Sequence, residues 1–173
     1  MLKSSGFFLF IFMLLFISGC KKEEDFRPAV EAAMSEFTRT LQSDLPTAAT
    51  VTERVRVYLS GQPTYFFGST ITLLDANGLA TTSPYWYRSN SGLVSKQLAV
   101  STYNIDTQVW LRKPIDLKQP YWTEPYFDAG GGEIWMRTYS VPIIINNKVV
   151  AVATTDLAVN KPWCFKLLDR NSL

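Results

Sequence analysis

Two runs of β-branched residues face each other across Asn146-Asn147 in "TYSVPIIINNKVVAVATTD", residues 138–156, and few folds accommodate such a pair. Val, Ile and Thr favour the pleated, half-buried surface of a sheet, and asparagine tolerates the positive φ of a tight turn, so the segment reads as a β-hairpin. A second hairpin is signalled in "FFGSTITLLDANGLATTSPYWYRS", residues 66–89, where Asp75-Ala76-Asn77-Gly78 supplies the turn. Ahead of both, Val30, Ala33, Met34, Phe37, Leu41 and Leu45 recur at helical spacing, with Pro28 suited to the first turn and Pro46 ending the helix. A shorter helical segment, "TERVRVYLSG", stops at Gly61. Between the hairpins lies an irregular stretch, residues 98–132, with a short helix near Asp106 to Arg112. So long a connection inside a compact domain points to function. The fold class is α+β, an antiparallel sheet backed by a long N-terminal helix.

The chain opens with "MLKSSGFFLFIFMLLFISGCKKEE". Lys3 precedes an apolar run, Phe7 to Ile17, that is shorter than the roughly 20 residues needed to cross a bilayer, so residues 1–19 read as a signal peptide. Ile17-Ser18-Gly19-Cys20 resembles the bacterial lipobox, in which the cysteine is lipidated and heads the mature protein. The other readings are an uncleaved anchor or a chance cysteine. With lipid on Cys20, residues 20–27 form a tether, and the chain is expected in the cell envelope, facing the periplasm or exterior. Lys21 favours outer-membrane sorting. Cys164 would then be the remaining thiol, so no intrachain disulfide is expected, and it reads as a small packed hydrophobe.

The 173-residue chain carries a formal charge of +2 with no long basic run, which gives nucleic acid little to hold. It has no histidine, the commonest general base at neutral pH and a frequent metal ligand. Enzyme chemistry would therefore rest on carboxylates, and Glu124, Asp128, Glu133 and Asp156 contain enough of them for a glycosidase pair. Nothing supplies sugar subsites, so neither an enzyme nor a cofactor is expected.

"PYWTEPYFDAGGGE", residues 120–133, combines Tyr121, Trp122, Tyr126 and Phe127 with Asp128 and three glycines. Such rings with a few polar groups make either a small-ligand pocket or an ordinary core. Gly130 to Gly132 read as a turn, since no Lys-Ser/Thr follows to make a phosphate loop. In "EIWMRTYSV", alternation puts Trp135, Arg137, Tyr139 and Val141 on one face, which could floor a pocket, and Ile134, Met136, Thr138 and Ser140 on the other. Asp128 is a turn former or a ligand acceptor. Asp156 either meets a cationic or donor ligand or caps a C-terminal helix.

Trp110, "PYWTEPYFD" from Pro120, "TYSVPI" from Thr138 and "VVAVATTD" ending at Asp156 together resemble the extracytoplasmic Cache domains, also called PDC sensors, over roughly Asp25 to Leu168. They look closest to those ahead of phosphatase or kinase outputs. The resemblance implies a PAS-like sheet and one ligand-binding domain over residues 28–168, with 169–173 as a tail. It implies aromatic walls from Trp110, Tyr121, Tyr126 and Tyr139, with Asp128 and Asp156 accepting a polar or cationic group. In the amino-acid-binding branch, the signature's first aspartate falls on Asn104, its carboxylate-binding arginine on Gln108 and its tyrosine on Leu111, with only Arg112 or Arg137 near to substitute. Expected partners are a small molecule, the membrane through the lipid, and a protein that carries the signal. An envelope adaptor, or part of a larger two-module receptor, is the alternative.

Overall fold

The computed structural model describes residues 25–160. The expected signal peptide and lipobox with Cys20, and the C-terminal residues that include Cys164, lie outside the described residues. Helix α1 (Arg27–Ser43) begins at Pro28's neighbour, ends ahead of Pro46, and is followed by α2 (Val51–Ser60), which stops at Gly61. Then come β1 (Phe66–Leu74), β2 (Ala80–Thr82), β3 (Pro84–Ser89), β4 (Gly92–Gln97), a 3-10 turn (Ile105–Thr107), α3 (Val109–Leu117), β5 (Tyr121–Trp122), β6 (Tyr126–Phe127), β7 (Trp135–Ile145) and β8 (Lys148–Ala158).

One antiparallel sheet orders the strands β4-β3-β1-β8-β7-β5, with β2 added to β1 and β6 to β7. The β7–β8 hairpin turns on Asn146 and Asn147, both at positive φ (49° and 62°), as the asparagine pair implies. The first hairpin forms too, but its return run breaks at Ser83 into β2 and β3. Ser83 is buried and its hydroxyl meets those of Thr70 and Thr72 (3.0 and 2.7 Å), which draws the chain inward there. Strand β4, on the sheet edge, was not legible in "SGLVSKQ"; its pairing with β3 is what makes it a strand. The expected short helix near Asp106 is longer and later. It continues through Pro114, whose missing N–H forfeits one bond, to the carbonyl of Trp110.

Helices cover both faces. On one, Val30, Met34 and Leu41 of α1 and Val55 and Leu59 of α2 bury against Phe66, Ile71, Ile143 and Ala153, each such side chain contributing about 2 kcal/mol. Arg88 ties α2 to the sheet by donating to the carbonyls of Leu59, Gln62 and Phe66 (2.9, 2.7 and 2.9 Å). On the other, Leu111 and Trp110 of α3 pack with Tyr85, Tyr103, Val149 and Val152.

Candidate functional site

Register places two cross-sheet rows on the α3 face. Tyr87, Gly68, Asp156 and Thr138 form one, and Tyr85, Thr70, Thr154 and Ser140 the next. Asp156 therefore projects from the middle of the sheet. It lies within β8, two residues before the strand's end, so it caps no helix; the ladder to Thr138 and Gly68 holds it extended instead. Its carboxylate is 3% exposed and accepts the Thr138 hydroxyl at 2.7 Å. That hydroxyl has a single proton, so the Tyr126 hydroxyl, 2.8 Å away, donates to it.

A second relay runs alongside. The Trp110 indole donates to the Tyr103 hydroxyl (3.3 Å), and Tyr103 donates to one oxygen of Asp128 (2.6 Å). The other Asp128 oxygen accepts the N–H of Gly132 (2.6 Å). The three glycines are thus a turn wrapped on the Asp128 carboxylate, so tightly that a Cβ on Gly131 would collide with it. Lys96 of β4 pins this turn from outside, donating to the carbonyls of Gly130 and Gly131 (3.2 and 2.6 Å).

Burial controls the charge. Desolvation pushes the Asp156 carboxyl up to about 7, the Asp128 charge adds to the rise, and the Thr138 and Tyr85 hydroxyls oppose it. Asp128 is also raised, chiefly by desolvation, against the pull of Tyr103, Gly132 and Lys96. Tyr103 and Tyr126 are held protonated by burial and by the two carboxylates. Neither aspartate joins an ion pair among the described residues. Beside this cluster lies a cavity of about 330 Å³ whose wall includes Gln108, Trp110, Tyr121, Thr123 and Tyr126.

The fold thus gathers Trp110, Tyr126, Asp128 and Asp156, with Tyr121 on the cavity wall. It does not bring Tyr139 to them. Tyr139 sits on the opposite face, against Trp122 (ring centroids 4.8 Å), whose indole donates to Glu31 of α1. The alternation along β7 is as expected, but the face with Tyr139, Arg137 and Trp135 turns toward α1, and Met136, Thr138 and Ser140 lie on the α3 face with Asp156. Arg112 and Arg137 stay out of the cluster as well. Arg112 donates to the Gly78 carbonyl and lies near Asp116, and Arg137 lies near Glu124. Tyr85, Tyr103, Thr138 and Gly68 escape sequence reasoning. Only the alternation in "PYWY", which separates Tyr85 and Tyr87 from Trp86, hinted that these rings share a face.

Residues 51–161 match the methyl-accepting chemotaxis protein-like, first PDC sensor domain family. The chain belongs to that family. The sheet, the N-terminal helix and the resemblance to PDC sensors agree, and the family and its structural neighbours are sensor domains rather than enzymes. No curated protein matches the sequence. Among solved structures, the extracellular domain of the proposed histidine kinase soHK1S-Z6 is 27% identical with a TM-score of 0.64, over 76% of this chain and 52% of that one. The ligand-binding domain of the Campylobacter jejuni chemoreceptor Tlp3, in complex with L-norvaline, is 17% identical with a TM-score of 0.53, over 76% and 52%. That of the Pseudomonas aeruginosa PAO1 amino-acid chemoreceptor PctC, in complex with GABA, is 17% identical with a TM-score of 0.51, over 76% and 56%. The last two share the PDC fold. This chain spans about half the length of each of the three.

Proposed function

We propose that this PDC domain is an extracytoplasmic sensor for a small cationic ligand, held by Asp128 and Asp156 and walled by Trp110, Tyr121 and Tyr126. The observation that carries the reading is the pair of buried carboxylates without an ion-pair partner among the described residues, ringed by aromatic side chains. A buried charge of one sign is costly unless a counter-ion arrives, and rings face cations favourably. Gln108 stands where the amino-acid branch has its arginine and spends its amide on the Tyr103 carbonyl (3.1 Å). Without a guanidinium at that position the bidentate clamp for a ligand carboxylate is lost there, so an amine lacking that group fits better than an α-amino acid. Norvaline and GABA, bound by Tlp3 and PctC, both carry an ammonium group.

A thermal-shift screen of residues 21–173 against amines, amino acids and carboxylates tests this. An amine at about 100 times its Kd is expected to add about 2.7 kcal/mol, several degrees in Tm, and Asp156→Ala to abolish the shift. A carboxylate as the best hit, or a shift that survives Asp156→Ala, would sink the reading. One observation favours the alternative of a non-sensing adaptor: each Asp128 oxygen already accepts one bond from the protein, from Tyr103 and from Gly132. No shift across the panel, with an envelope protein co-purifying, is its signature.

The same proposal includes a lipid on Cys20 and a partner protein that receives the signal, supported by the lipobox resemblance and by the PDC family's sensory role. Cys20→Ala is expected to block labelling by radioactive palmitate and to release the protein from membranes. Labelling that persists in this variant rules the anchor out.

A further inference from the structure

Among the described residues Tyr85 is the largest fully buried side chain, and its hydroxyl has no hydrogen-bond partner there. The ring leaves its own row on β3 and leans over Gly68, into space that exists because Gly68 has no side chain; an added Cβ would lie 2.6 Å from the ring's Cζ. The hydroxyl ends close to Gly132 as well, 3.1 Å from where a Cβ would stand there. Gly68 pairs with Asp156, and the Gly132 N–H holds Asp128, so the hydroxyl lies between the two carboxylates. It lies near enough to Asp156 to favour the charged carboxylate, yet without the geometry of a full hydrogen bond. The other hydroxyls of the cluster are committed: Tyr103 to Asp128, Tyr126 to Thr138 and Thr138 to Asp156.

An orphaned buried hydroxyl is destabilising, and phenylalanine would fill nearly the same volume without that cost. Burial and the two carboxylates keep the phenol protonated, so it can donate to a carboxylate and still offer its lone pairs. We infer that Tyr85 is a specificity-determining residue: its hydroxyl, standing between Asp128 and Asp156 over Gly68, accepts an N–H of the ligand and excludes methylated ammonium heads. This rests on the cationic-ligand reading. Together the two carboxylates and Tyr85 present three acceptors, which match the three N–H bonds of a primary ammonium. A trimethylammonium head has none to offer and would press its methyls on the ring.

The test is calorimetric titration of the full chain, purified in detergent, with n-butylamine and with butyltrimethylammonium. The wild type is expected to bind the primary amine at least about tenfold more tightly. Tyr85→Phe, which keeps the shape, should weaken butylamine about tenfold, the worth of one hydrogen bond to a charged group, and leave butyltrimethylammonium within about twofold. Tyr85→Leu, which opens space, should reverse the preference. If Tyr85→Phe weakens both probes alike, or neither while the wild type binds butylamine, the inference fails and the cationic pocket stands. If the wild type binds neither probe, the pocket reading falls and the inference with it.

Discussion

Asp156→Asn is expected to stabilise the ligand-free domain at pH 8 while abolishing its response to cations. The reason is linkage. An unfolded aspartate titrates near 3.9, whereas burial moves the folded carboxyl up to about 7. Between those values the native chain holds a proton that the unfolded chain has released, so stability falls as pH rises from about 4 to about 7 and levels off above. The full loss is about 4 kcal/mol at most. Asparagine keeps an acceptor for the Thr138 hydroxyl and carries no charge, so urea denaturation should find the variant about 2–4 kcal/mol more stable than wild type at pH 8 and little changed at pH 4. Asp128, raised in the same direction, leaves a residual slope in the variant. Lower stability of Asp156→Asn at pH 8 would mean that the charge already has a counter-ion in the folded chain. That loss of stability at neutral pH is what the proposed cationic ligand would offset on binding.

The second large effect concerns Gly68. Gly68→Val would drive a branched side chain into Tyr85, whose ring atoms Cζ and Cε2 lie 2.6 and 2.7 Å from the new Cβ. Tyr85 is enclosed on the α3 face and cannot swing out, so the cost should reach at least about 3 kcal/mol, the upper end for overpacking, seen as a fall in Tm. Adding Tyr85→Leu to the same chain should return more than about 1 kcal/mol, because contacting residues couple in a double-mutant cycle. Strict additivity of the two substitutions would place the clash elsewhere.

Local chemistry made much of this readable. Asparagines at positive φ, β-branched runs on either side, and the prolines that bound α1 act through neighbouring residues alone, and those elements stand where they were expected. The same logic singled out Asp128 and Asp156, because acidic residues among apolar runs need an explanation. Tyr139 shows where it stops. Period-two alternation correctly split β7 into two faces, but helices cover both, so the pattern carries no sign of which face meets α1 and which meets α3.

By itself, then, the sequence determined the N-terminal helices, the two hairpins with their turns, and the two carboxylates that a fold of this kind must either pair or leave for a ligand. Tertiary structure alone decided the company they keep. Tyr85 from β3, Gly68 from β1, Tyr103 from the long connection and Thr138 from β7 gather around Asp128 and Asp156 through strand pairings and a helix docking that join distant parts of the chain. Propensity and spacing are local properties, whereas the burial that raises Asp156 and the gap that admits the Tyr85 hydroxyl are set by atoms remote in sequence.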